Sequence, residues 1–186
     1  MGGLSVTELP LPGMFRVETP ATGDERGRFA RIFCQAALAP LRQGLVFTQV
    51  NLSGTSRRGT IRGLHYQLAP AAEAKMIRCL RGRVFDVAVD LRAGSPTFLR
   101  WHAIELDAGS DHQVFIPEGV AHGFQTLTDD VQLLYFHTAD WRPDLERRVR
   151  YDDPRIGIPW PLPPACVSAR DAQAPLLDAS FAGVQA

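Results

Sequence analysis

The stretch VFDVAVDLR at residues 84–92 constrains the fold more than any other part of the chain. Its side chains alternate with period two. Asp86, Ala88, Asp90 and Arg92 fall on one face; Phe85, Val87, Val89 and Leu91 fall on the other. This is strand patterning, because successive Cβ atoms of a strand point to opposite sides of a sheet. The RGR at 81–83 reads as a turn into it, and AGSP at 93–96 ends it. Residues 60–67 (TIRGLHYQ), 76–80, 101–106, 113–116 and 131–136 read as further strands. Short strands punctuated by glycine and proline predict a sandwich or barrel. Helix is expected to be minor, with candidates at residues 30–41 and near 169–177. Residues 154–164 carry Pro154, Pro159, Pro161, Pro163 and Pro164 with Trp160. Proline donates no ladder hydrogen bond, so this stretch is expected to wrap over the barrel surface.

No repeat or linker divides the 186 residues, so one domain spanning 1–186 is expected. Twenty Lys and Arg balance twenty Asp and Glu. Zero net charge argues against bulk attraction to nucleic acid or membrane, and any anion site must be local. Cys34, Cys79 and Cys166 match neither a disulfide framework nor a zinc motif, and read as buried free thiols in a reducing cytosol. The first residues have neither the basic nor the apolar region of a signal peptide. No apolar run approaches the roughly 20 residues of a spanning helix. A cytoplasmic location is the expectation.

The chemistry-bearing residues concentrate in a few strand-like segments. The sequence from Pro117 through Gly119 to His122 matches the late His motif of a metal-binding cupin barrel, but the early motif reads His65-Tyr66-Gln67, with an amide where a second His belongs. Lys75 follows where a carboxylate ligand is expected. Two imidazoles and an amide beside an ammonium make a poor metal site, so no metal is expected. The same residues suit acid–base chemistry. His65 can accept a proton near neutral pH. Lys75 and Arg62 can stabilise an oxyanion or a phosphate. Tyr135 can donate a proton, which completes the set needed to abstract a proton beside a carbonyl. Singly, each has an ordinary structural reading, and His102, His112 and His137 are read as structural or surface residues.

Ordered motifs along the chain resemble the dTDP-4-dehydrorhamnose 3,5-epimerase family of nucleotide-deoxysugar epimerases. They are GDERG at 23–27, QVNLS at 49–53, RGLHYQ at 62–67, AKMIRC at 74–79, residues 84–92, SPTF at 95–98 and residues 116–124. The tail adds DDP at 152–154, GIPWP at 157–161 and SARD at 168–171. Coverage runs from about residue 15 to about 178. The resemblance implies an all-β jelly-roll barrel of cupin type, usually a homodimer, with no metal or organic cofactor. It implies that His65 is the general base, Asp171 the carboxylate orienting it, Tyr135 the general acid and Lys75 the stabiliser of the C4 enolate. It places Arg26, Arg62, His122, Glu146 and Arg170 at substrate contacts, and Gln49 and Asn51 near the nucleoside. The implied reaction inverts C3 and C5 of a dTDP-linked 4-keto-6-deoxy-D-glucose. The alternatives are a mono-epimerase, a non-catalytic sugar-nucleotide binder and a metal-dependent cupin.

Two positions depart from the family pattern. Arg31 stands where an acidic residue usually reaches the nucleotide in the partner subunit's site. A guanidinium only donates hydrogen bonds, which suits the acceptors of cytosine and raises a CDP-linked substrate as an alternative, while the ordinary reading, in which Arg31 turns to solvent or contacts phosphate, is preferred. The usual aromatic pair reads Asp140-Trp141. Trp141 can still stack on a base. Asp140 is expected to alter the sugar end of the pocket, which raises epimerisation at one carbon only.

Overall fold

The computed structural model describes residues 3–185. Two antiparallel sheets face each other as a jelly-roll barrel. The first is ordered β1 (Ser5–Glu8), β2 (Phe15–Glu18), β10 (His112–Ile116), β7 (Lys75–Arg81), β12 (Val131–His137) and β5 (Gln49–Thr55). The second is ordered β13 (Glu146–Arg148), β6 (Thr60–Gln67), β11 (Val120–Thr126), β8 (Arg83–Asp90) and β9 (Trp101–Asp107). The short β14 (Cys166–Val167) pairs parallel to β6. A separate hairpin joins β3 (Ala21–Asp24) to β4 (Gly27–Ala30).

The alternation in β8 has a use the sequence left open: both faces of the strand are buried. Val84 and Ala88 pack between the sheets with Ile77, Val114, Phe124 and Leu133. Val87, Val89 and Leu91 pack outward against Leu64, Val149 and Ile156, with Trp160, Phe181 and Val184 alongside. The two acids on the inner face are therefore committed to partners. Asp90 accepts hydrogen bonds from Arg92, Ser95 and Thr97. Burial alone would raise its pKa, but these donors outweigh it and bring the carboxyl down to about 2. Asp86 pairs with His122, behind the wall of the cavity described below.

The proline-rich stretch does lie across the outside of the second sheet. Trp160 meets the edge of Phe85 and donates its indole N–H to the Tyr151 carbonyl at 2.8 Å. Gln125 clamps Leu162 with two hydrogen bonds, of 2.8 and 3.0 Å. The chain then enters β14 and the single-turn helix α2 (Ala169–Ala172), whose N-cap Ser168 accepts from the Asp171 amide. The expected helix near 169–177 is thus real but shorter, since Pro175 follows directly. The helix expected over 30–41 shrinks further, to α1 (Gln35–Leu38) and a 3₁₀ turn at Ala39–Leu41. The preceding residues stay outside the helix. The Ile32 carbonyl accepts from Gln113 and the Phe33 ring stacks on Phe136.

Strands β6 and β11 approach unusually closely at two glycines. A Cβ on Gly63 would sit 2.5 Å from the Gly123 Cα and 2.8 Å from the His122 carbonyl oxygen, and its φ is +123°. Backbone atoms cannot yield as a flexible side chain does, and overpacking of this kind costs about 1–3 kcal/mol even in ordinary core positions. The close approach brings His65 and His122 opposite each other on the paired strands. The three cysteines are free thiols, but only Cys79 is buried as expected: Cys34 is half-buried, and Cys166, on the short outer strand β14, is exposed. Burial pushes the Cys79 thiol up to about 11, which keeps it protonated.

Candidate active site

A cavity of about 230 Å³ opens between the sheets. His65 and His122 line it from the second sheet; Lys75, Tyr135 and His137 line it from the first. The period-two pattern explains the grouping. Tyr135 and His137 share the inner face of β12, and Lys75 pairs directly with His137 across β7.

His65 is backed by Asp171. Its Nε2 lies 2.7 Å from Asp171 Oδ1. Burial pushes the Asp171 carboxyl up, but the hydrogen bond and charge of His65, with Ser168 and the Gly63 amide, together hold it below the usual range. An ionised carboxylate only accepts, so the bridging proton sits on Nε2 and Nδ1 keeps a lone pair. Arg148 adds support, with its Nε 3.3 Å from Asp171 and its Nη2 2.5 Å from Glu146.

Tyr135 is built for the opposite role. Its surroundings raise the phenol well above its ordinary value, first by desolvation and then through the negative charge of Asp86. Asp86 is fully buried, with Oδ2 at 2.8 Å from His122 Nε2 and Oδ1 without a hydrogen-bond partner among the described residues. The phenol therefore stays protonated at neutral pH. Its ring stands edge-on to His122, with centroids 5.9 Å apart. The site thus offers a base on one sheet, an acid on the other, and the ammonium of Lys75, whose Nζ lies 3.4 Å from the His65 carbonyl oxygen. As a metal site the donors do not fit. The two histidines spend their Nε2 atoms on separate carboxylates, and among the described residues no three His, Cys, Asp or Glu side chains converge.

Arg62, Trp141 and Glu146 also line the cavity. Arg62 and His65 continue into an adjoining cavity lined by Arg148, Arg170 and Ser168. Gln49 and Asn51 lie on β5 opposite His137 and Tyr135, bonded to each other at 3.1 Å, just beyond the lining. Arg26 and Arg31 are exposed and outside the cavity, Arg26 being paired with Asp24 in the β3–β4 turn. Asp140 is exposed too and is not among the lining residues; its carbonyl accepts from Gln67.

The structural reading of His137 fits its bond to Glu73, but the residue also lines the cavity and stacks on Tyr135. Its place two residues after Tyr135 was a legible signal. The neighbourhood of Lys75 also holds a well-placed carboxylate, because Glu73 reaches Lys75 Nζ at 3.1 Å. Asp86 and Arg148 escaped notice because only strand pairing reveals their neighbours.

The family model for dTDP-4-dehydrorhamnose 3,5-epimerase matches residues 8–179. The chain belongs to this family. It is 42% identical over 177 residues to the dTDP-4-dehydrorhamnose 3,5-epimerase of Salmonella typhimurium, covering 93% of this chain and 95% of that one. Its fold matches the dTDP-6-deoxy-D-glucose-3,5-epimerase of Legionella pneumophila, solved with dTDP-4-keto-L-rhamnose, at a TM-score of 0.89 and 35% identity over 98% and 99% of the two chains. It also matches ChmJ, a 3′-monoepimerase from Streptomyces bikiniensis solved with dTDP-quinovose, at a TM-score of 0.84 and 36% identity over 90% and 85%. The family is one of carbohydrate epimerases, so this chain is an enzyme of the isomerase class.

Asp171→Asn keeps the shape of the dyad but removes its charge. Turnover is expected to fall by about 10²–10⁴-fold with substrate affinity little changed. The lowered carboxyl also makes a stability prediction. The contribution of the Asp171 charge is complete above the unfolded value near 3.9 and is lost as pH falls through the lower folded value. Urea midpoints of wild type and variant should therefore converge below about pH 4. A gap that widens in acid would contradict this reading.

Proposed function

We propose that this epimerase inverts both C3 and C5 of dTDP-4-dehydro-6-deoxy-D-glucose, giving dTDP-4-dehydro-L-rhamnose. The observation that carries the proposal is the pairing of a carboxylate-backed imidazole on one sheet with a protonated phenol on the other, across a cavity that also holds the Lys75 ammonium. A ketone at C4 acidifies the hydrogens on both C3 and C5. In the D-gluco chair both hydrogens are axial on the same ring face, so one base serves both carbons after a small shift of the ring. His65 Nδ1 takes the proton, the C–H electron pair forms the enolate double bond, and the negative charge moves to the C4 oxygen. Lys75 stabilises that charge. Tyr135 then delivers its proton to the opposite face, the ketone re-forms and the carbon is inverted. Exchange with solvent returns the imidazolium and phenolate to their starting states.

The cavity has room for a hexose ring rather than a whole nucleotide. The pyrophosphate falls to Arg62, Arg148 and Arg170 of the adjoining cavity, where it supplies binding energy remote from the reacting carbons. Trp141 stacks on the base, with Gln49 and Asn51 beside the nucleoside and Glu146 and His122 at the sugar. The proposed nucleotide is dTDP, in line with the names of the relatives. No metal or organic cofactor enters any step.

The proposal includes a homodimer acting as one domain per chain. The edge strand β5 exposes Val50 and Leu52, at 56% and 61%, with Val46 nearby at 58%. An open edge with exposed apolar side chains is a surface suited to pairing with another chain. Arg26 and Arg31, which lie outside their own cavity, would then serve the partner's. A cytoplasmic location fits the free thiols and the absence, among the described residues, of a helix able to cross a membrane.

Proton NMR with dTDP-4-keto-6-deoxy-D-glucose in deuterated water tests the reaction. Deuterium is expected at both C3 and C5 of the product. Incorporation at one carbon would replace this reading with a mono-epimerase like ChmJ, and exchange confined to a CDP-linked substrate would overturn the nucleotide. Light scattering tests the assembly: the expected mass is twice the 20.5 kDa of the chain, and a monomer would contradict the dimer.

A further inference from the structure

Glu73 and His137 take no part in the proton transfers above, yet both line the cavity. The Glu73 side chain is only 9% exposed and bridges two neighbours. Oε1 lies 3.1 Å from Lys75 Nζ, and Oε2 lies 2.9 Å from His137 Nδ1. Lys75 is equally buried, its side chain 8% exposed, and among the described residues Glu73 is the one carboxylate within ion-pair distance of it. Burial alone would raise the Glu73 carboxyl, but His137 and Lys75 outweigh it and hold the group below its ordinary range. The His137 ring lies nearly parallel to that of Tyr135, with centroids 5.8 Å apart and planes inclined by 17°. One connected set of contacts thus runs from the cation beside the developing enolate to the proton donor.

We propose that Glu73 and His137 are positioning residues: the carboxylate fixes the Lys75 ammonium in the cavity wall, and the imidazole fixes the carboxylate while packing against Tyr135. The inference rests on the epimerase reading and deepens it. A buried ammonium is held charged only with a compensating carboxylate. The other charged or titratable groups facing the cavity are Arg62, His65 and Tyr66 on β6, His122 on β11, Tyr135 and His137 on β12, and Glu146 on β13. Glu146 is engaged with Arg148 and Arg170, and no ion pair joins it to Lys75. Glu73 therefore has no substitute.

The test is steady-state turnover of dTDP-4-keto-6-deoxy-D-glucose by the full chain carrying Glu73→Gln, alone and combined with Lys75→Met. Glu73→Gln is expected to lower kcat by about tenfold or more with KM little changed. On the Lys75→Met background the same substitution should add almost nothing, because the two residues act as a unit. His137→Gln, which retains a donor toward Glu73, should recover part of the activity lost in His137→Phe. Wild-type kcat in Glu73→Gln, or a loss that simply adds to that of Lys75→Met, would overturn the proposal. Glu73→Asp, which keeps the charge but shortens its reach, enters the same cycle if Glu73→Gln does not fold. Absence of wild-type turnover would instead bring down the epimerase reading, and this inference with it.

Discussion

The 2.7 Å hydrogen bond between His65 and Asp171 joins residues 106 apart in sequence, and the proposed catalytic arrangement depends on it. The barrel supplies only the imidazole. The carboxylate arrives because the proline-rich tail crosses the outer face of the second sheet, is clamped by Gln125, and enters β14 beside β6. That path needs an apolar outer face on β8 for Trp160 and Ile156 to cover. The regular alternation of residues 84–92 thus reaches the chemistry through packing: one face fills the barrel, the other anchors the tail that completes the dyad.

The two sides of the site obtain opposite protonation states by opposite means. Asp171 is surrounded by donors and stays charged, which leaves His65 a lone pair for the substrate. Tyr135 is desolvated and faces the charge of Asp86, which keeps its proton available. Driving the two groups apart lets one cavity hold a base and an acid at one pH. The Gly63–Gly123 contact matters for the same reason: it sets the spacing of the strands that carry His65 and His122.

Much of this was legible in the residues. The strand periods, the turn at Gly82, the wrapping tail and the gathering of His65, Lys75, Tyr135, Arg62 and His122 all followed from pattern and motif. What escaped was whatever depends on pairing between distant strands. Glu73 lies outside any regular element in the sequence, and only the β7–β12 register brings it to His137. Asp86 looks like a polar-face strand residue until the opposing sheet covers it. The helix expected over 30–41 starts late, at Gln35, because tertiary contacts of Ile32 and Phe33 overrode local preference.

The central claim is that abstraction and return of the proton are separate acts by residues on facing sheets. Following deuterium at C3 of recovered substrate and of product, with His65→Asn and Tyr135→Phe side by side, tests it most directly. Tyr135→Phe should still exchange the C3 hydrogen of the substrate, because His65 can form the enolate and return a solvent deuteron on the same face, while giving almost no inverted product. His65→Asn should do neither. Loss of exchange in Tyr135→Phe together with its retention in His65→Asn would reverse the roles and contradict the account.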